Sequence, residues 1–191
     1  SKFDQEQLCL MIGQAQGIET TALRFFNVYG PYQALSNPYT GVLAIFASRY
    51  MNDKPPLIYE DGEQLRDFVS VHDVARASRL AGEVPGADGH VFNIGSGQVR
   101  SIREIATVLG TVLDKQALQP EFTGRYRVGD VRHCFADIRR ARDVLGFAPE
   151  VAFEDGLREI ADWLAAMPED QKAEDRVEHA SDELLRRGLA V

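Results

Sequence analysis

Between His90 and Leu113 the sequence HVFNIGSGQVRSIREIATVLGTVL hands a strand over to a helix, and this junction constrains the fold more than any other stretch. An apolar run, HVFNI, stops at a glycine-rich turn, as a short strand does. Ser101 and Glu104 then form a capping box, in which the two side chains satisfy backbone donors at the start of a helix. Ile102, Ile105, Ala106, Leu109 and Leu113 follow at helical spacing. A strand that ends in glycine and restarts as a capped amphipathic helix is the building unit of α/β domains.

The alternation recurs along the chain. IETTALRFFNVYG is a strand of β-branched and aromatic residues that ends in a turn at Gly30-Pro31. VLAIFASRYM predicts a helix that turns Val42, Ile45, Phe46 and Tyr50 toward a core. PLIYEDG and LRDFVSV read as two short strands around a turn at Asp61-Gly62, and HDVARASRLAGEV as a helix with Asp73 at its N-cap. QPEFTG predicts a strand and RYRVGDVRHCFAD a loop or extended segment. Asp137 caps a helix that ends at Gly146; Phe153, Leu157, Ile160 and Leu164 stripe another. The charged tail EDQKAEDRVEHASDELLRRG predicts an exposed helix. The fold class expected is therefore α/β.

Charge and composition exclude several classes of function. A net charge of −8 argues against nucleic acid, which requires basic patches. No apolar run approaches the roughly 18 residues of a membrane span, so no membrane partner is expected. The two cysteines, Cys9 and Cys134, form neither a metal nor a disulfide framework and suit a reducing cytoplasm. The four histidines are scattered without ligand spacing, so no metal is expected. The opening SKFDQEQLCLMIGQAQG is helical from its first letters, with Leu8, Met11, Ile12 and Ala15 at helical spacing and Gly17 closing it, yet no start signal precedes it.

NIGSGQ has the look of a phosphate loop, but its third glycine is missing and the helix begins only near Ser101, so a tight strand-to-helix turn explains it better. Three other segments carry more: RFFNVYGP, LIYEDGEQLRDFVSVHDVARA and RYRVGD. Taken singly, Asn27 could serve a turn, Arg66 a surface ion pair and Arg127 a solvated loop. Together, in this order and spacing from Ser1 to about Met167, they resemble the C-terminal half of the extended short-chain dehydrogenase/reductase family, in its nucleotide-sugar epimerase and dehydratase branch.

The resemblance implies a fold, a cofactor and a substrate. Residues 1–31 would be the final helix and strand of a Rossmann domain that binds NAD. Residues 32–167 would be mainly the smaller α/β domain that holds a UDP- or dTDP-sugar, with some elements returning to the Rossmann sheet, and 168–191 an exposed helix. SKFDQE matches the end of the family's Tyr-x-x-x-Lys signature, so Lys2 would be its lysine, favouring a tyrosinate and touching the nicotinamide ribose. The tyrosine and the glycine-rich turn would precede Ser1, which makes the chain a piece of an enzyme that is inactive alone. The strand TTALRFFN would then lose its sheet neighbours. Phe25 falls where the family strand passes the nicotinamide. Asn27, Thr40, Val42, Tyr59, Arg66, Arg127 and Asp130 fall on substrate-binding positions: Arg66 and Arg127 on the pyrophosphate, Tyr59 stacked on the pyrimidine, Asp130 on a ribose hydroxyl or on Arg127, Asn27 on the phosphate or sugar, and Thr40 and Val42 lining the pocket. The whole pattern is most similar to 4-epimerases, with 4,6-dehydratases second and a catalytically inactive nucleotide-sugar-binding module third. The first helix lies in a dimer interface in the family, so a homodimer is expected of the intact protein.

Overall fold

A computed structural model describes residues 1–33, 41–126 and 129–168. The chain divides into two compact units, each assembled from three stretches. The first comprises Ser1–Val28, Asp67–Gln98 and Phe135–Val151; the second comprises Tyr29–Arg66, Val99–Cys134 and the chain from Ala152 onward.

In the first unit, α1 (Lys2–Gln16) ends at Gly17, whose left-handed φ of 65° lets its N–H reach the Gly13 carbonyl. Strand β1 (Ala22–Phe25) pairs in parallel with β5 (Val91–Ile94), Ala22 opposite Val91 and Phe25 opposite Ile94. The expectation that this strand loses its sheet neighbours is therefore too strong, since β5 lies beside it. Alternation along β5 buries Phe92 and Ile94. Helix α3 (Val71–Glu83) covers them with Ala77, and α5 (Arg139–Leu145) with Ala141 and Leu145; Val69, Ala87 and Phe147 complete the cluster. Each large side chain buried here contributes about 1.5–3 kcal/mol.

In this unit the helix expected at the start of the chain is present, and one expected cap is corrected. The apolar residues Leu8, Met11 and Ile12 of α1 do form one helical face, but they remain exposed (Leu8 51%, Met11 62%). The helix docks instead through Gly13, where a side chain would fall 2.1 Å from Thr20 Oγ1. The cap of α3 is Ser70, whose hydroxyl accepts from the His72 N–H at 3.2 Å. Asp73 is buried in the first turn and accepts from the Glu150 and Val151 N–H groups at 2.9 and 3.2 Å. A carboxylate at that depth needs such donors, and the segment that follows α5, 77 residues further along the chain, supplies them.

The second unit is built on helices α2 (Val42–Met51), α4 (Ile102–Val112) and α6 (Phe153–Ala165), with α4 in contact with both others. Leu43, Phe46, Tyr50, Ile105, Leu109 and Leu157 fill its core. Glycines permit the close approaches: at Gly110 a Cβ would meet the Tyr50 hydroxyl at 2.8 Å, while that hydroxyl donates to the Ala106 carbonyl at 3.0 Å. Burial pushes the Tyr50 phenol above its ordinary value. Tyr29, from β2 (Asn27–Tyr29), packs edge-on against Phe153 at 5.5 Å. Tyr32 follows in a left-handed conformation (φ 65°), its ring 5.9 Å from that of Trp163.

Short parallel pairs finish this unit: β3 (Leu57–Ile58) with β7 (Glu121–Phe122), and the first residues of β4 (Leu65–Ser70) with β8 (His133–Cys134). The segment QPEFTG thus yields only two strand residues, and the described residues of RYRVGDVRHCFAD only two more. Strand β6 (Val99–Ser101) leads into α4, where Ser101 Oγ accepts from the Glu104 N–H at 3.1 Å, the serine half of the capping box, while the Glu104 carboxylate accepts from Arg100 Nη1 at 2.6 Å. Strand β4 carries the chain from one unit to the other, with the boundary falling between Arg66 and Asp67. The charged tail from 169 lies outside the described residues.

Candidate functional site

In the second unit the turn that carries Tyr59 and the strand that carries Arg66 are laced to residues 123–125 and 131–134. Thr123 donates its N–H to the Ile58 carbonyl at 2.9 Å, and Glu60 donates its own to the Arg125 carbonyl at 2.8 Å. Further along, Leu65 and Arg66 lie in register with His133 and Cys134, and the Leu65 N–H donates to His133 Nδ1 at 3.3 Å.

Arg66 is the centre of the lacing. Its Nη1 donates to the carbonyls of Leu65 (2.9 Å) and Arg132 (2.7 Å), and its Nη2 to that of Val131 (2.8 Å). Asp130 Oδ1 stands 3.7 Å from Nη2 and accepts from the Val131 N–H at 2.9 Å. A guanidinium has five N–H donors. Three are used here, so among the described residues one on Nε and one on Nη2 carry no hydrogen bond. The side chain is 15% exposed, so it is largely packed yet still reaches solvent.

The other sequence-predicted residues fall as follows. Tyr59 is half-buried, and its carbonyl accepts from Gln64 Nε2 at 3.0 Å. Val42 is half-buried at the first residue of α2, behind Gly41 at the N-cap. In the first unit, Lys2 is exposed on the first turn of α1 and donates to Gln5 Oε1 at 3.3 Å. Phe25 is exposed at the carboxyl end of β1, and Asn27 is half-buried in β2. Thr40 and Arg127 lie outside the described residues.

Sequence reasoning overlooked three residues. Asp67 is fully buried, and its carboxylate accepts from the Ser96 N–H and hydroxyl (both 2.6 Å), the Gly97 N–H (3.0 Å) and the Ala136 N–H (3.3 Å). This explains why NIGSGQ resembles an anion loop: its donors do hold an anion, one that the protein itself provides. Gly95 makes room for it, since a Cβ there would fall 2.6 Å from Asp67 Oδ2 and 2.5 Å from the Ala136 Cβ. An acidic residue in the apolar run DFVS was the available signal. Gln64 is buried beside the Tyr59 carbonyl. Arg132 forks onto Glu60 Oε2 (2.6 Å) and Asp61 Oδ2 (2.7 Å). The Arg132 guanidinium, followed by the Glu63 N–H, holds the Asp61 carboxyl below the usual carboxylate range.

The family model for the NAD-dependent epimerase/dehydratase family matches residues 1–95. A dTDP-L-rhamnose 4-epimerase of Burkholderia thailandensis is 38% identical over 167 residues, covering 86% of this chain and 45% of that protein. Among solved structures, the UDP-glucose 4-epimerase of Thermotoga maritima with UDP-glucose superposes with a TM-score of 0.76 at 34% identity, covering 86% of this chain and 52% of that one. The UDP-glucuronic acid 4-epimerase of Bacillus cereus in complex with UDP-glucuronic acid and NAD gives 0.73 at 31% identity, covering 83% and 49%. The chain spans about half the length of the curated relatives it matches.

Proposed function

This chain belongs to the NAD-dependent epimerase/dehydratase family of extended short-chain dehydrogenase/reductases, and from that premise we propose that it supplies the substrate-holding half of a nucleotide-sugar 4-epimerase acting on a UDP- or dTDP-hexose. The observation that carries this reading is the divided guanidinium of Arg66, anchored on the carbonyls of residues 65, 131 and 132 and left with donors for a diphosphate. Planar forks of this kind match phosphate oxygens.

In this reading Arg66 and Arg127 neutralise the pyrophosphate. Tyr59 stacks on the pyrimidine, Asp130 accepts from a ribose hydroxyl or holds Arg127, Thr40 and Val42 line the nucleotide pocket, and Asn27 donates to the phosphate or sugar. The second unit is the nucleotide-sugar domain and the first belongs to the dinucleotide-binding domain. Lys2 and Phe25 suit contact with NAD: the ammonium is exposed, and the aromatic ring is exposed at the carboxyl end of a parallel strand, where α/β sheets bind ligands. NAD held there would supply reversible hydride acceptance at sugar C4. Lys2 would hold the ribose and, by its charge, favour the ionised form of a neighbouring tyrosine. The intact protein is proposed to be a cytoplasmic homodimer; among the described residues no helix is long and apolar enough to cross a membrane.

A 4,6-dehydratase and an inactive binding module are the alternatives, and the first of these shares the same diphosphate site. Calorimetric titration of the chain with UDP, dTDP and ADP tests the common core. UDP or dTDP should bind more tightly than ADP. Equal heat for all three, or none, rejects the reading.

A further inference from the structure

We propose that Arg132 is the positioning residue for Tyr59: its bidentate grip on Glu60 and Asp61 fixes the turn that presents the aromatic ring to the nucleobase. This rests on the proposed role of Tyr59 in stacking on the base.

The turn needs an external hold. Glu60, next to Tyr59, has a φ of 54°, and Gly62 one of 81°. A left-handed conformation is uncommon for a residue with a side chain and persists where its surroundings impose it. Two guanidinium groups supply the hold: Arg103 Nη2 donates to the Asp61 carbonyl at 2.8 Å, and Arg132 grips the side chains next to Tyr59, with Nη1 on Glu60 at 2.6 Å and Nη2 on Asp61 at 2.7 Å.

An exposed ion pair contributes little when both partners swing freely. Here neither does. The Arg132 carbonyl receives Arg66 Nη1 at 2.7 Å, and the next two residues pair with Leu65 and Arg66. On the turn side, the Glu60 N–H is bonded to the Arg125 carbonyl and the Tyr59 carbonyl to Gln64. The Arg132 guanidinium therefore joins two fixed backbones. Tyr59 is held from its carbonyl by Gln64 and through its neighbours by Arg132, so the direction of its side chain is set before any base arrives. Arg66 and Arg132 thus divide the work along one seam: Arg66 offers donors to the ligand, and Arg132 aims the ring.

The test is a double-mutant cycle read by calorimetry, with UDP and inorganic pyrophosphate as ligands for the 191-residue chain, Arg132→Gln, Tyr59→Ala and the double variant. Arg132→Gln should weaken UDP about three- to tenfold, a partial loss of the stacking energy, and pyrophosphate by less than about twofold. In the Tyr59→Ala background the same substitution should change UDP binding by less than about twofold. Arg132→Lys keeps the charge but not the fork, and should restore only part of the loss. If Arg132→Gln does not fold, Asp61→Asn removes one partner of the fork from the other side and enters the same cycle. An undiminished effect in the Tyr59→Ala background, or full rescue by lysine, overturns the assignment. Absence of UDP binding by the unaltered chain instead rejects the proposed function, so the two failures are told apart by which protein shows them.

Discussion

Arg66 and Asp67 are consecutive residues of β4, yet they carry their charges under opposite conditions. Asp67 is sealed in the first unit, with four donors around one carboxylate. Arg66 belongs to the second unit, and three of its five donors are bonded, all of them to backbone carbonyls. Removal of a fully satisfied buried charge orphans every partner, so its value lies in stability. A partly satisfied charge at the surface is held in place by the bonds it makes and available through those it does not. The lesson is that adjacent charges of one motif can serve folding and binding separately, and that the count of unused donors tells them apart.

The largest effect should come from the buried side. Asp67→Ala leaves the Ser96, Gly97 and Ala136 donors without an acceptor and should cost about 3–4 kcal/mol in urea unfolding. A loss below about 1 kcal/mol would mean that the cradle relaxes or admits water, and the contrast with Arg66 would collapse. Arg66→Ala should instead weaken UDP by roughly 10- to 100-fold, with an unfolding cost of only about 1 kcal/mol. Equal damage to stability from both substitutions would erase the distinction. The smallest effect is on pH. Asp137 is held at about 2 by the Arg139 side chain and N–H, and Asp61 is lowered by Arg132. A carboxyl whose folded value lies below its unfolded value stabilises the fold above the unfolded value, near 3.8, and loses that contribution as pH falls through the folded one. Unfolding midpoints should thus decline between about pH 4 and pH 2, and Arg139→Gln should flatten the decline.

Local signals made much of the fold legible. Gly17 and Gly146 end their helices in the left-handed conformation, and Ser101 caps α4 through Glu104. Each is an interaction within a few residues, which a sequence displays directly. The face that α1 buries was not legible, because the periodicity of Leu8, Met11 and Ile12 marks a helix but not its neighbour. Asp73 shows the same limit: an acidic residue near a helix start suggests a cap, and only the fold reveals the chain at Glu150 that claims it. At the candidate site, Arg66 stood out because a motif surrounds it. Arg132 and Asp67 did not, since their partners lie 72 and 29 residues away and nothing local demands them.

Trp163 is the chain's single tryptophan, and it belongs to the second unit. Its indole, with Tyr32 close enough to feed it excitation, is a built-in lamp for that unit alone. Emission from it will stay quiet while the Asp67 cradle loosens, and will brighten, dim or shift only when the region around α6 changes. An optical trace and a far-ultraviolet trace recorded on the same sample can therefore separate the two halves without any label.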